Sequence, residues 1–128
     1  MALELIDIAL HDPSQTDYYF YTAVDESGGV LGYLCYGPTP LTEGTYDLYW
    51  IAVDPDCAGQ GIGTLLLRHF EAEVRRKQGY LIVIETSSTP EYTDTRQFYL
   101  KKGYDLAETI KDFYRRGEDR VTYTKYLS

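Results

Sequence analysis

The chain has 128 residues and a mass of 14.7 kDa, with 44% hydrophobic and 25% charged residues, so it holds one domain with an ordinary core and not two. Twenty acidic against twelve basic residues leave a net charge of −8 and a pI near 4.6. That balance excludes the clustered-cation footprint of nucleic-acid binding, since the one basic run, Arg75-Arg76-Lys77, suits the negative end of a helix.

Leu3, Leu5, Ile6, Ala9 and Leu10 recur at helical spacing and stop near Asp12-Pro13, predicting a short amphipathic helix. Residues 18–24 are aromatic and β-branched, and 25–29 form a turn. Residues 30–36 then complete a hairpin closed by Gly37-Pro38-Thr39-Pro40. A third strand runs over about 46–53 and stops at Asp54-Pro55. Beyond it lies a glycine-rich loop. Ile62, Leu65, Leu66, Phe70 and Val74 then step by three and four along a helix that Gly79 is placed to end. Leu81-Ile82-Val83-Ile84 is continuously apolar, as in a strand buried on both faces with a parallel partner across a helical crossover. A short helix follows from about Asp94, its candidate N-cap, to Lys102 and Gly103; strands over 107–114 and 120–127 are joined by Gly117-Glu118-Asp119. No apolar run approaches the roughly 20 residues of a membrane span, and no charged-then-apolar leader opens the chain, so neither a membrane nor secretion is expected. Cys35, Cys57, His11 and His69 are scattered without metal-ligand spacing, so no metal is expected and both thiols read as free in a reducing cytoplasm.

The segment 53–64, Val-Asp-Pro-Asp-Cys-Ala-Gly-Gln-Gly-Ile-Gly-Thr, sits between a strand and a helix. There, backbone N–H groups and the positive helix end can hold an anion, and glycine lets the backbone come close. It is no Walker A loop, because Gly63 is followed by Thr64 and no Lys, and it lacks the closure of a dinucleotide fingerprint.

With this loop, the preceding Ile51-Ala52-Val53, and Arg96-Gln97-Phe98-Tyr99-Leu100-Lys101-Lys102-Gly103-Tyr104, the chain resembles the GCN5-related N-acetyltransferases (GNAT superfamily) from about residue 18 to its end. Phe98, Tyr99, Gly103 and Tyr104 match that family's Phe-Tyr-x-x-x-Gly-Phe/Tyr signature. The resemblance implies one α/β (α+β) domain over 1–128. Its sheet would be mixed and mostly antiparallel, with a V-shaped splay between two central parallel strands. Helices would lie on both faces, and the N-terminal strand/helix region would be short or missing. It implies a cytoplasmic enzyme moving an acetyl group from acetyl-CoA to a primary amine in a ternary complex, without a metal. The partners are then acetyl-CoA and a small-molecule or protein amine, with a homodimer as a further expectation. The alternative is a non-catalytic acyl-CoA-binding regulatory or dimerisation module of the same fold.

The family pattern carries over residue by residue. Backbone groups of Ile51, Ala52 and Val53 would meet the pantetheine and thioester, and those of Gly59, Gln60, Gly61, Ile62, Gly63 and Thr64 the pyrophosphate. Tyr99 matches the family's general acid. Asp47, six residues before Val53, stands where the histone-modifying branch has its catalytic Glu; Glu85 and a water are the rivals. By strand alternation Asp47, Tyr49, Ile51 and Val53 share a face unless a bulge intervenes. Trp50, Asp112 and Tyr114 are the candidate acceptor contacts. Three departures stand out: Ala58 where the family has Gln or Arg, Tyr92 where relatives often carry Asn, and only about 17 residues before the hairpin.

Overall fold

The computed structural model describes residues 4–9 and 18–127. Its strands are β1 Glu4–Ala9, β2 Tyr19–Val24, β3 Val30–Pro38, β4 Thr45–Val53, β5 Leu81–Ser87, β6 Asp105–Arg115 and β7 Glu118–Tyr126, and its helices are α1 Ile62–Arg76 and α2 Thr93–Lys101. The seven strands make one sheet in the order β1-β2-β3-β4-β5-β7-β6. Each neighbouring pair is antiparallel except β4 with β5, which α1 joins as the crossover.

The N-terminal segment corrects the expected helix. Residues Glu4–Ala9 pair with β2 in register from Glu4 opposite Val24 to Ala9 opposite Tyr19. A short apolar run fits either period, and here the open edge of β2 decides, because pairing satisfies a row of its backbone groups.

The core lies between the sheet and α1. Leu66, Phe70 and Val74, at helical spacing, are fully buried against Leu34, Tyr36, Leu48, Ile82 and Ile84. Tyr99 of α2 joins the same cluster, so both described helices serve one side of the sheet. The other face of β2 to β4 carries Phe20, Tyr33 and Trp50, with ring centroids 6.0 Å (Phe20–Tyr33) and 6.1 Å (Phe20–Trp50) apart. Helices on both faces are thus not seen among the described residues; β1 and β2 are linked by residues 10–18 alone. No helix among the described residues is long and apolar enough to cross a membrane.

At the end of α1 the left-handed residue is Gln78 (φ 65°), not Gly79, whose N–H closes the helix on the Val74 carbonyl at 2.8 Å. Gly79 is required for space: a Cβ there would lie 2.6 Å from Val74 Cγ1 and 2.8 Å from Tyr46 Cε1.

Polar groups tie α1 to the far side of the sheet. Glu71 is 1% exposed, accepts hydrogen bonds from Arg68 (2.8 Å) and the Tyr104 hydroxyl (2.8 Å), and pairs with Lys125 (3.1 Å).

Two irregularities position the site. Cys35 pairs with Trp50 and the next residue, Tyr36, pairs with Leu48, so Tyr49 is an extra residue and β4 is bulged there. The parallel pairing of β4 with β5 is confined to Thr45–Leu48 against Leu81–Ile84. Past that point β4 stays with β3 and β5 with β7, and the two central strands part. The expected splay is present.

Candidate active site

Four cavities with shared lining residues follow one another from the glycine loop along β4 to the gap between the parting strands. Nearest the glycine loop is a cavity of about 320 Å³ bounded by Cys57, Gly61, Ile62 and Thr64. It shares Val53, Gly59, Gly63 and Phe98 with a second cavity of about 430 Å³. Ile51 and Thr95 carry that one into a third, of about 440 Å³, which reaches Tyr99. Tyr49, Glu85 and Tyr114 then border both the third and a fourth, of about 300 Å³, which Asp47 closes.

The loop is built by local hydrogen bonds. Asp54 caps a 3-10 turn, Pro55–Cys57, by accepting from Asp56 N, and Gly59 and Gly61 follow at φ 81° and 79°. Only glycine adopts that conformation at little cost. The first bond of the α1 ladder runs from Leu65 N to the Gly61 carbonyl, so the N–H groups of Ile62, Gly63 and Thr64 precede the ladder and point out of the helix end. These are donors for an anion in the adjoining cavity. The Gln60 N–H is already spent on the Cys57 carbonyl at 3.3 Å, and neither Gln60 nor Ala52 borders the cavities. Those two expected cofactor contacts are not brought to the site.

The bulge at Tyr49 overrides simple alternation. Asp47 sits opposite Val83 in the parallel pairing, on the same face as Glu85 two residues on. Past the bulge, Ile51 and Val53 turn to the helix side and pack on the core. Asp47 and Ile51 therefore lie on opposite faces of one strand, joined through the gap.

Tyr99 is 3% exposed, yet it borders the third cavity, and its ring is fixed by Phe98, Tyr104 and Tyr123 at centroid distances of 5.7, 6.1 and 6.2 Å. Among the described residues nothing accepts from or donates to its hydroxyl. Burial pushes the phenol up to about 12, so it stays protonated at neutral pH. Burial also raises the Asp47 carboxyl, with the Thr39 hydroxyl pulling the other way. Glu85 is 3.6 Å from Arg120, which it shares with Glu108 at 3.0 Å.

Of the acceptor candidates, Trp50 and Tyr114 reach the third cavity and Asp112 does not. Asp112 sits at φ 55°, donates its N–H to Asp119 Oδ1 (2.9 Å) and accepts from Gly117 N (2.8 Å). It builds the β6–β7 turn. The ladder slips between Ile110 and Arg115, and that irregularity is what carries Tyr114 into the cleft. Tyr49, Tyr92, Thr95 and Phe98 also line the gap, although none of them was among the candidate site residues. For Phe98 the signal was its place beside Tyr99, and for Tyr92 its place where relatives often carry Asn; for Tyr49 and Thr95 no local signal exists.

The family profile described as an acetyltransferase (GNAT) domain matches residues 16–106. A solved GNAT-family structure from Desulfovibrio desulfuricans is 43% identical, with a TM-score of 0.85 over 88% of this chain and 71% of that one. A GNAT-family acetyltransferase structure from Elizabethkingia anophelis, with acetyl-CoA bound, is 19% identical and shows the same fold, with a TM-score of 0.80 over 98% of both chains. The S-(2-succino)cysteine N-acetyltransferase of Bacillus subtilis is 25% identical over 103 residues. That match takes in 77% of this chain and spans only 61% of the relative's length.

Proposed function

The chain belongs to the GNAT acetyltransferase family, and from that membership we propose that it transfers an acetyl group from acetyl-CoA to a primary amine by direct attack in a ternary complex. One observation carries the reading: successive cavities that share lining residues border the amide donors at 59–64, the buried phenol of Tyr99 and the carboxylates Asp47 and Glu85.

In this reading the pyrophosphate rests on the amides of Gly59, Gly61, Ile62, Gly63 and Thr64, the pantetheine follows Ile51 to Val53 on the helix side of β4, and the thioester lies near Tyr99. The amine enters from the Asp47 side. A free alkylamine titrates near ~10, so a proton must leave before attack. Asp47, with Glu85 or a water as the other candidates, takes that proton. The nitrogen bonds to the acyl carbon and gives up its second proton, the carbon–sulfur bond breaks, and the sulfur keeps the electron pair and takes up a proton, while Tyr99 hydrogen-bonds it. Backbone N–H groups of bulged β4 that face the gap would stabilise the intervening oxyanion.

The first test is thermal stabilisation by coenzyme A, acetyl-CoA and desulfo-CoA, followed by thiol release against a panel of amines that includes S-(2-succino)cysteine. Stabilisation without turnover on any amine would leave a coenzyme-binding module instead of an enzyme.

Gly61→Val tests the loop. At φ 79° a β-branched residue is strongly disfavoured, and its Cβ would meet no protein atom within 4 Å, projecting beside the amides. Coenzyme A affinity is expected to fall about 100-fold or more, ~2.8 kcal/mol. A folded variant with unchanged affinity would move the pyrophosphate elsewhere.

Asp47→Asn tests the base. The loss, about 100-fold, should be greatest on the acid side of the pH profile, where unprotonated amine is scarcest, and should shrink as pH rises toward the amine's own pKa. A uniform loss across pH would give the role to Glu85 or to a water.

A further inference from the structure

We infer that the acceptor is an oligoamine: a small molecule carrying at least one ammonium group beyond the one acetylated, and no carboxylate. This rests on the acyl-transfer reading and specifies its substrate.

The amine end of the cleft lacks cations among its described residues. Among the described residues no Lys, Arg or His borders either of the two cavities beyond Ile51, whereas Asp47, Glu85 and Glu118 do. Glu118 is already engaged, pairing with Arg115 at 3.3 Å and accepting from the Ser87 hydroxyl at 2.8 Å. Glu85 and Glu108 share the single cation of Arg120, so that group of three keeps one net negative charge. No cation pairs with Asp47 among the described residues. The cleft therefore presents two negative charges to whatever enters, in a chain whose net charge is −8. An entering carboxylate would find no partner there, and like charges brought together across a contact cost several kcal/mol.

The second observation is independent of charge. Trp50, Tyr92 and Tyr114 border the third cavity and are 47%, 39% and 44% exposed. Elsewhere this protein sets its own cations over rings: Lys77 Nζ is 4.3 Å from the Tyr19 centroid, and the Arg120 guanidinium carbon 4.7 Å from that of Phe113. Among the described residues no such cation sits over Trp50, Tyr92 or Tyr114. Open π-faces beside uncompensated carboxylates recognise ammonium groups. One charge would be met by the base at the reacting nitrogen, and the rings and the remaining carboxylate would hold a second. Acetylation removes one positive charge from such a molecule, which weakens the product's hold on the cleft.

The test measures thiol release by the full chain at saturating acetyl-CoA, comparing 1,4-diaminobutane with butylamine and with glutamate. The diamine is expected to exceed butylamine by about tenfold in kcat/KM, and glutamate to be poorer than both. Added salt should lower the diamine value more steeply than that of butylamine. In Glu85→Gln, and separately in Trp50→Leu, the diamine-to-butylamine ratio should fall toward about one. Butylamine or glutamate turning over as well as the diamine would overturn the oligoamine assignment while leaving acyl transfer intact. Coenzyme A binding with no turnover on any of the three, or on the wider amine panel, would overturn acyl transfer itself and this inference with it.

Discussion

Tyr99→Phe is expected to lower kcat by about 100-fold while leaving coenzyme A affinity within about twofold. The ring is held by three aromatic neighbours and is 3% exposed, so phenylalanine occupies the same space. Among the described residues the hydroxyl has no partner, so its removal strands no buried group. The size of the effect follows from acidity. The phenol is pushed up to about 12, whereas a thiol titrates near ~8.5, so complete transfer of the tyrosine proton to a departing thiolate is uphill by ~5 kcal/mol. In the proposed reaction Tyr99 would therefore act as a hydrogen-bond donor to charge developing on sulfur, worth roughly 1.5–3 kcal/mol, or about 10- to 100-fold in rate. The kcat profile should accordingly show no loss from Tyr99 ionisation until pH approaches about 12. Equal kcat in the two proteins would remove Tyr99 from the mechanism. A loss beyond about 10⁴-fold would mean full proton donation after all.

The largest effect on stability is expected from Glu71→Ala, a loss of about 3–5 kcal/mol, the range seen when one member of a buried charge pair is removed. For a chain this long that is a fall in Tm on the order of 10–20 °C. Burial alone would raise the Glu71 carboxyl; hydrogen bonds from Arg68, Tyr104 and Lys125 more than reverse this, and its pKa is lowered. Burial and the nearby Glu71 charge drive the Tyr104 phenol upward. Because the folded-state pKa of Glu71 lies below its ordinary value of 4.5, the stabilisation is fully present above that value and fades as pH falls through the folded pKa. The wild type should thus lose stability on acidification in a step that Glu71→Gln lacks. Denaturant unfolding of the three proteins at neutral and acid pH measures both effects, and a loss under 1 kcal/mol in Glu71→Ala would show that Lys125 and Arg68 find other partners.

What was legible in the sequence was local. The loop at 53–64 and the Phe98-Tyr99 to Gly103-Tyr104 stretch carry their geometry in their residue types: Gly61 sits at positive φ and Gly103 at φ 95°. The apolar steps of α1 and the continuous Leu81–Ile84 run found the crossover and its parallel strand. What failed depended on partners distant in sequence. The helix expected near residues 3–10 became a strand because β2 offered an edge. Asp47 and Ile51 fall on opposite faces because of a bulge that no residue at 49 announces. Asp112 and Tyr114 were both candidate acceptor contacts, and only Tyr114 borders the cleft, because Asp112 is held in the β6–β7 turn. Glu71 drew no notice, since a glutamate on a helix reads as solvated until the fold brings Tyr104 and Lys125 against it.

The extra residue at 49 divides β4 into two independently adjustable halves. Under the proposed function the face of Asp47 and Trp50 would meet the amine, and the helix-side face of Ile51 and Val53 the nucleotide. In that reading, substitutions at 47 or 50 would alter which amine is taken without touching the residues that meet the donor. A lineage could therefore diversify its targets by point changes on one surface while inheriting the other unaltered.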